Sequence, residues 1–193
     1  MKSKKHKKII VVLVGESAVG KSTLIKSLEA SNNLIIPIPL VTNRNARSSE
    51  EDDRVCVSKS EFENMESKKL LLPTIYKHGN KYSIEKKILE NALNKGKIPI
   101  FDYTYEGIFA LKKEFEDMVF PIYILPSSLP LLQKRLQDLG RDPDGSRFNV
   151  AKAEIEKMQT LNFSPEVIKG GIVVNEDIEK STKEILKRIR AQI

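Results

Sequence analysis

Ile9 to Val14 form an unbroken apolar and largely β-branched run, the pattern of a strand buried on both faces of a parallel sheet. Shorter runs of the same character recur at Leu34 to Ile38, Ile98 to Asp102, Val119 to Leu125 and Gly171 to Val174, and most are separated by apolar residues at helical spacing. This alternation predicts an α/β fold with a five-stranded parallel sheet flanked by helices. Three helix starts are legible. Ser58 with Glu61 and Ser181 with Glu184 have capping-box spacing, and Ser128 precedes an early proline, Pro130, so helices are expected near 59–67, 181–192 and 129–139. Residues 39–97, between the second and third core strands, are too many for one crossover. They contain strand-like runs at Arg54 to Val57 and Leu70 to Tyr76, which predicts a small mixed subdomain.

Composition narrows the classes. A chain of 193 residues with 40% hydrophobic and 31% charged residues fits one globular domain. The net charge of +7 suggests nucleic acid, but Lys2, Lys4, Lys5, Lys7 and Lys8 supply five of those charges, which leaves about +2 for the rest. Residues 1–8 therefore read as a solvated basic leader, with no RNA or DNA recognition motif behind it, and no nucleic-acid partner is expected. No apolar run approaches the roughly 20 residues that cross a bilayer, so no membrane association is expected either. The single cysteine, Cys56, excludes an internal disulfide and suits a reducing compartment, and the expected location is cytoplasmic. Cys56 itself reads as a small apolar strand residue, and neither His6 nor His78 has a second ligand at metal spacing.

Directly after the first strand, Gly15-Glu16-Ser17-Ala18-Val19-Gly20-Lys21-Ser22 matches G-x-x-x-x-G-K-S, and Thr23 leads into a helix containing Leu24, Ile25 and Leu28. In this context the main-chain N–H groups of the loop converge on the phosphates of a nucleoside triphosphate and the following helix adds its positive end. Lys21 then reaches the β- and γ-phosphates, and the Ser22 hydroxyl ligates Mg²⁺. The chain lacks an N/T-K-x-D base-reading motif at a suitable place, which disfavours a GTPase. Further on, Val41-Thr42-Asn43-Arg44-Asn45-Ala46-Arg47-Ser48-Ser49-Glu50 carries two arginines three apart, a spacing that can clamp one phosphate through bidentate contacts.

Together with Val57-Ser58-Lys59-Ser60-Glu61-Phe62, that stretch resembles the acceptor box of the guanylate kinase family, T-T-R-x-x-R-x-x-E and then F-V-S-x-x-x-F. The resemblance spans nearly the whole chain. It implies a P-loop NTPase fold with a core (9–38, 91–135 and 155–193), an acceptor-binding subdomain (39–90) and a helical lid (136–154). It also implies ATP and Mg²⁺ as cofactors and a small phosphorylated acceptor as partner. Arg44 and Arg47 would hold the acceptor phosphate, with Glu50 at the box's acidic position and Tyr82 at the place of a phosphate-contacting tyrosine. Asp102, ending a core strand, would stand near the metal and γ-phosphate. Arg135, Arg141 and Arg147 fall in the lid region, although Gly140-Arg141 reverses the family's arginine-glycine order. Val173-Val174-Asn175-Glu176-Asp177 resembles V-N-D-D, which would put Asn175 beside the adenine.

The chain departs from the family where guanine is read. The four positions that carry hydroxyls or carboxylates in the family hold Leu40, Pro73, Ile84 and Thr104 here; a shifted register would instead offer Glu66, Ser67 or Ser83. The family's second phosphate-contacting tyrosine, expected shortly after Glu50, has no counterpart. Unpaired guanine N–H and carbonyl groups would each cost roughly 1–3 kcal/mol, so GMP is expected to be a poor acceptor. Tyr103, Tyr105 and Phe109 are candidates to stack on an acceptor ring. The expected activity is transfer of the γ-phosphoryl of ATP to a nucleoside monophosphate. The alternatives are a non-nucleotide acceptor such as a ribose phosphate, or a non-catalytic binding module, against which the intact Lys21 and Ser22 argue.

Overall fold

The computed structural model describes residues 7–46, 54–77, 79–160 and 167–193, with the backbone alone for 159 and 160. Among these, Ile10–Val14 (β1), Ile35–Pro37 (β2), Ile98–Tyr103 (β7), Val119–Pro126 (β8) and Ile172–Asn175 (β9) form one sheet in the order β2-β7-β1-β8-β9, every pair parallel. The most apolar strands lie centrally: every side chain of β1 and β8 is buried, as required where helices cover both faces. Lys21–Ser31 (α1) buries Leu24, Ile25 and Leu28 against this sheet, and Ile178–Arg190 (α7) buries Ile185, Leu186 and Ile189. A hydrogen bond of 2.9 Å between Thr182 Oγ1 and Ser27 Oγ joins α1 to α7.

A second, mixed sheet is formed by Leu40–Thr42 (β3), Arg54–Cys56 (β4), Ile75–Lys77 (β5) and Asn80–Ser83 (β6), in the order β4-β3-β6-β5. Lys59–Ser67 (α2) covers it through Phe62, in a small cluster with Val41 and Leu71. Leu40, Leu72 and Ile84 belong to the main core instead and anchor the subdomain there. Lys86–Asn94 (α3) returns the chain to β7, and Tyr105–Phe115 (α4) connects β7 to β8. Leu129–Asp138 (α5) and Ser146–Thr160 (α6) overlap the stretch expected as a lid (136–154), and Leu132, Leu136, Ala151, Ile155 and Met158 on them belong to the main core. No described helix is long and apolar enough to cross a membrane.

The expected helix at 59–67 forms with a complete Ser58–Glu61 capping box, and Ser128 caps α5 as expected. The C-terminal helix starts earlier than expected. Asp177, not Ser181, is its cap, accepting from the Lys180 N–H, while Ser181 is buried inside the helix. The run from Leu70 to Tyr76 is not one strand. Leu71 makes an isolated bridge to Glu85, and regular pairing begins only at Ile75, beyond Pro73, which has no N–H to give a ladder.

Candidate active site

The loop after β1 takes a shape that ordinary residues resist. Gly15 and Gly20 have φ of 146° and 99°. A Cβ on Gly15 would overlap the Ile124 carbonyl, and one on Gly20 would overlap the amide nitrogen of Asn175. Whereas α2, α4, α5 and α7 begin on a side chain that caps the first turn, α1 begins on Gly20 with no capping side chain and no acid in its first turn. Its first N–H groups thus face the loop, ready for an anion. Lys21 lies back along this loop, with Nζ donating to the carbonyls of Gly15 and Glu16, each at 2.8 Å. Burial lowers its pKa to about 8, against the opposing pull of Asp102.

A cleft of about 640 Å³ runs from this loop to the second sheet. Gly15, Ser17, Ala18, Gly20, Lys21, Ser22 and Thr23 line one end, with Asn175 beside them; Val19 is buried beneath, its carbonyl accepting from Asn175 Nδ2 at 2.8 Å. Asn175 is 1% exposed, and its Oδ1 has no hydrogen-bond partner among the described residues. Leu40, Arg44, Tyr82 and Thr104 line the far end, Asp102 stands between the two, and Arg135 and Arg141 also line the cleft.

Other sequence candidates lie elsewhere. Ile84 is fully buried in the main core, because β6 ends at Ser83 and the next residue turns inward. Pro73 is exposed and does not line the cleft, and its carbonyl accepts from the Tyr103 hydroxyl at 3.0 Å. Arg147 is in the first turn of α6 and outside the cleft lining, its N–H donating to the buried carboxylate of Asp142. The shifted register gains no support: Ser83 is buried and bonded to the Leu72 carbonyl, Glu66 is held by Thr74 and Lys81, and neither Glu66, Ser67 nor Ser83 lines the cleft. Thr104 lines it, but its hydroxyl accepts the Gly107 N–H at the start of α4. Tyr103 lines the cleft, whereas Tyr105 and Phe109 pack edge to face on each other outside it. Arg47 and Glu50 lie outside the described residues.

The sequence reading missed Arg54. On the edge strand β4, its guanidinium donates to Asp102 Oδ1 at 2.8 Å, with the two side chains 14% and 18% exposed. Burial alone would raise the Asp102 pKa, but the charges of Arg54 and Lys21 and the Arg54 hydrogen bond outweigh it and hold the carboxyl below the usual range. Lys77, at the opposite edge of the same sheet, also faces the cleft, and its charge acts on both Lys21 and Asp102. The available signal was a basic residue in a strand-like run, which by itself reads as a solvated edge.

The family model for guanylate kinase matches residues 7–192. A guanylate kinase of Prochlorococcus marinus strain NATL2A is 32% identical over 180 residues, covering 91% of this chain and 92% of the relative. One of Rhizobium meliloti strain 1021 is 30% identical over 190 residues, covering 95% of this chain and 83% of the relative. Among solved structures, the crystal structure of guanylate kinase from Anaplasma phagocytophilum superposes with a TM-score of 0.75 at 26% identity, over 98% of this chain and 88% of that one.

Proposed function

The chain belongs to the guanylate kinase family and is an ATP-dependent phosphotransferase, and from that premise we propose that it transfers the γ-phosphoryl of ATP to the phosphate of a nucleoside monophosphate whose base is not read as guanine. One observation carries this reading: a single cleft holds Lys21 at the donor end and Arg44 with Tyr82 at the acceptor end, with Asp102 between them.

The residues fit the donor. The uncapped start of α1 and the glycine-lined loop accept phosphates, and the unpartnered Oδ1 of Asn175 offers an acceptor to an exocyclic amine such as that of adenine. No group of three or more His, Cys, Asp or Glu side chains suited to a metal occurs among the described residues. Mg²⁺ takes few protein ligands and keeps water and substrate phosphates; Ser22 and Asp102 would hold it. Bound MgATP supplies the phosphoryl group and divalent charge compensation. Lys21 then turns from the loop carbonyls to the phosphates, Arg44 and Tyr82 hold the attacking phosphate, and Arg135 or Arg141 offsets charge on the transferring group.

At the base end, Leu40 is apolar and the Thr104 hydroxyl is engaged in capping, so neither offers a base the carboxylate or free hydroxyl of the family pattern. That same observation favours the second reading, a ribose phosphate with no base to be read. Steady-state turnover of ATP against GMP, dGMP, AMP, UMP and ribose phosphates tests both. Preferred use of a monophosphate other than GMP is expected, and a kcat/KM for GMP above about 10⁵ M⁻¹s⁻¹ overturns the base-site assignment.

A further inference from the structure

Arg54 faces a carboxylate that the reaction needs for other work. At the acceptor end, Arg44, Arg54 and Lys77 line the cleft together, with Arg54 bonded to Asp102 and the charge of Lys77 acting on it. A phosphomonoester at neutral pH carries about −1.5 to −2 and three acceptor oxygens, which guanidinium and ammonium groups gathered in one cleft can hold. β4 pairs with β3 so that Arg54 lies opposite Leu40, and Arg44 follows two residues after β3 ends. The strand that carries Arg54 therefore borders the one that leads to Arg44, and both side chains face the same cleft. The stretch before Cys56 lacks the second phosphate-contacting tyrosine of the family, and among its described residues Arg54 lines the cleft.

We propose that Arg54 is an acceptor-phosphate ligand that changes partners: it holds Asp102 in the empty cleft and moves to the acceptor's phosphate when the acceptor arrives, leaving the Asp102 carboxylate available to the donor side. The proposal rests on the functional reading above. It adds a residue that links occupation of the acceptor site to the state of Asp102. The exchange costs little because one charge-assisted hydrogen bond replaces another within the same cleft.

The test must separate a phosphate ligand from a residue that only neutralises Asp102, since Arg54→Gln weakens phosphate binding in either case. The Asp102→Asn variant removes the carboxylate's charge, so Arg54→Gln is compared with Arg54 in that background. This pair also avoids leaving a buried carboxylate unpaired, the change most damaging to folding. Binding of GMP and of ribose 5-phosphate is measured by calorimetry on full-length protein already saturated with AMP-PNP and Mg²⁺, with Arg44→Ala as reference. The Arg54→Gln/Asp102→Asn protein should bind the phosphate probe at least about 10-fold more weakly than Asp102→Asn, the loss expected for one charged hydrogen bond. Equal affinity in those two proteins, with binding still lost in Arg44→Ala, overturns the role of Arg54 and leaves the functional reading standing. Binding of neither probe by the wild type, or undiminished binding by Arg44→Ala, overturns both.

Discussion

Asn175 supports the phosphate loop from behind: its Nδ2 donates to the Val19 carbonyl at 2.8 Å, and its side chain fills the space that a Cβ on Gly20 would need. The last strand of the core thus fixes the shape of the first loop, and damage to either residue should be felt at the other.

Gly20→Ala should weaken ATP binding at least about 10-fold by calorimetry. The variant combines overlap with Asn175 and a φ of 99°, a conformation that costs a non-glycine residue roughly 1–3 kcal/mol. Adding Asn175→Ala removes the overlap but leaves the backbone cost and takes away the bond to the Val19 carbonyl and the acceptor offered to adenine, so the double variant should bind ATP no more tightly than Gly20→Ala. If Gly20→Ala binds ATP as tightly as wild type, the loop geometry is not what holds the phosphates.

Lys21 gives the free protein a pH signature. Its pKa is about 8 folded, against roughly 10.4 unfolded, so between those values the unfolded chain binds more protons and stability should rise with pH. ATP affinity should move the other way, weakening above pH 8 as the ammonium charge is lost. Lys21→Arg keeps its charge and should flatten that profile. A wild-type profile equally flat from pH 7 to 9.5 rules out Lys21 as the titrating contact.

Lys21→Ala and Asp102→Asn should each lower phosphoryl transfer by at least about 100-fold while circular dichroism remains native. Asn at position 102 keeps an acceptor for Arg54 and loses only the charge, so a folded but slow enzyme is expected. Retention of wild-type turnover by both variants removes these two side chains from the mechanism.

The specificity of the far end is open to redesign at Leu40 and Thr104, the two of the four base-reading positions that line the cleft. Aspartate is as good a helix cap as threonine, so Thr104→Asp should preserve α4. Together with Leu40→Ser it should raise GMP turnover at least about 10-fold. No gain with either the single or the double change would place the base elsewhere.

Tyr103 Oη to the Pro73 carbonyl links the core to the subdomain. Tyr103→Phe should therefore cost about 1 kcal/mol and lower the Tm by about 2–4 °C in a thermal melt.

The residues easiest to read in the sequence were those whose role is local. The phosphate loop and the Ser58–Glu61 box are complete within a few positions, and both fold as their spacing dictates. Asp177 in place of Ser181 shows the limit of such reading, since both are favoured N-cap residue types, four positions apart, and burial of Ser181 decides between them. Arg54 was not legible because its meaning depends on β4 pairing with β3, and on β7 bringing Asp102 within 2.8 Å across 48 positions of sequence. Ile84 misled because the resemblance placed it by position alone, whereas it lies one residue past the end of β6 and is buried in the main core.

Strands β2 and β7 are hydrogen-bonded parallel neighbours, and α3 alone would suffice to carry the chain from one to the other. Everything from β3 to β6 is thus an elaboration of a single connection, a cassette that closes no gap in the core sheet. Changes among its cleft-facing residues leave strand order and the donor loop in place, so long as Leu40, Leu72 and Ile84 keep it anchored in the core. A lineage could in this way change the molecule it phosphorylates while inheriting its ATP machinery intact.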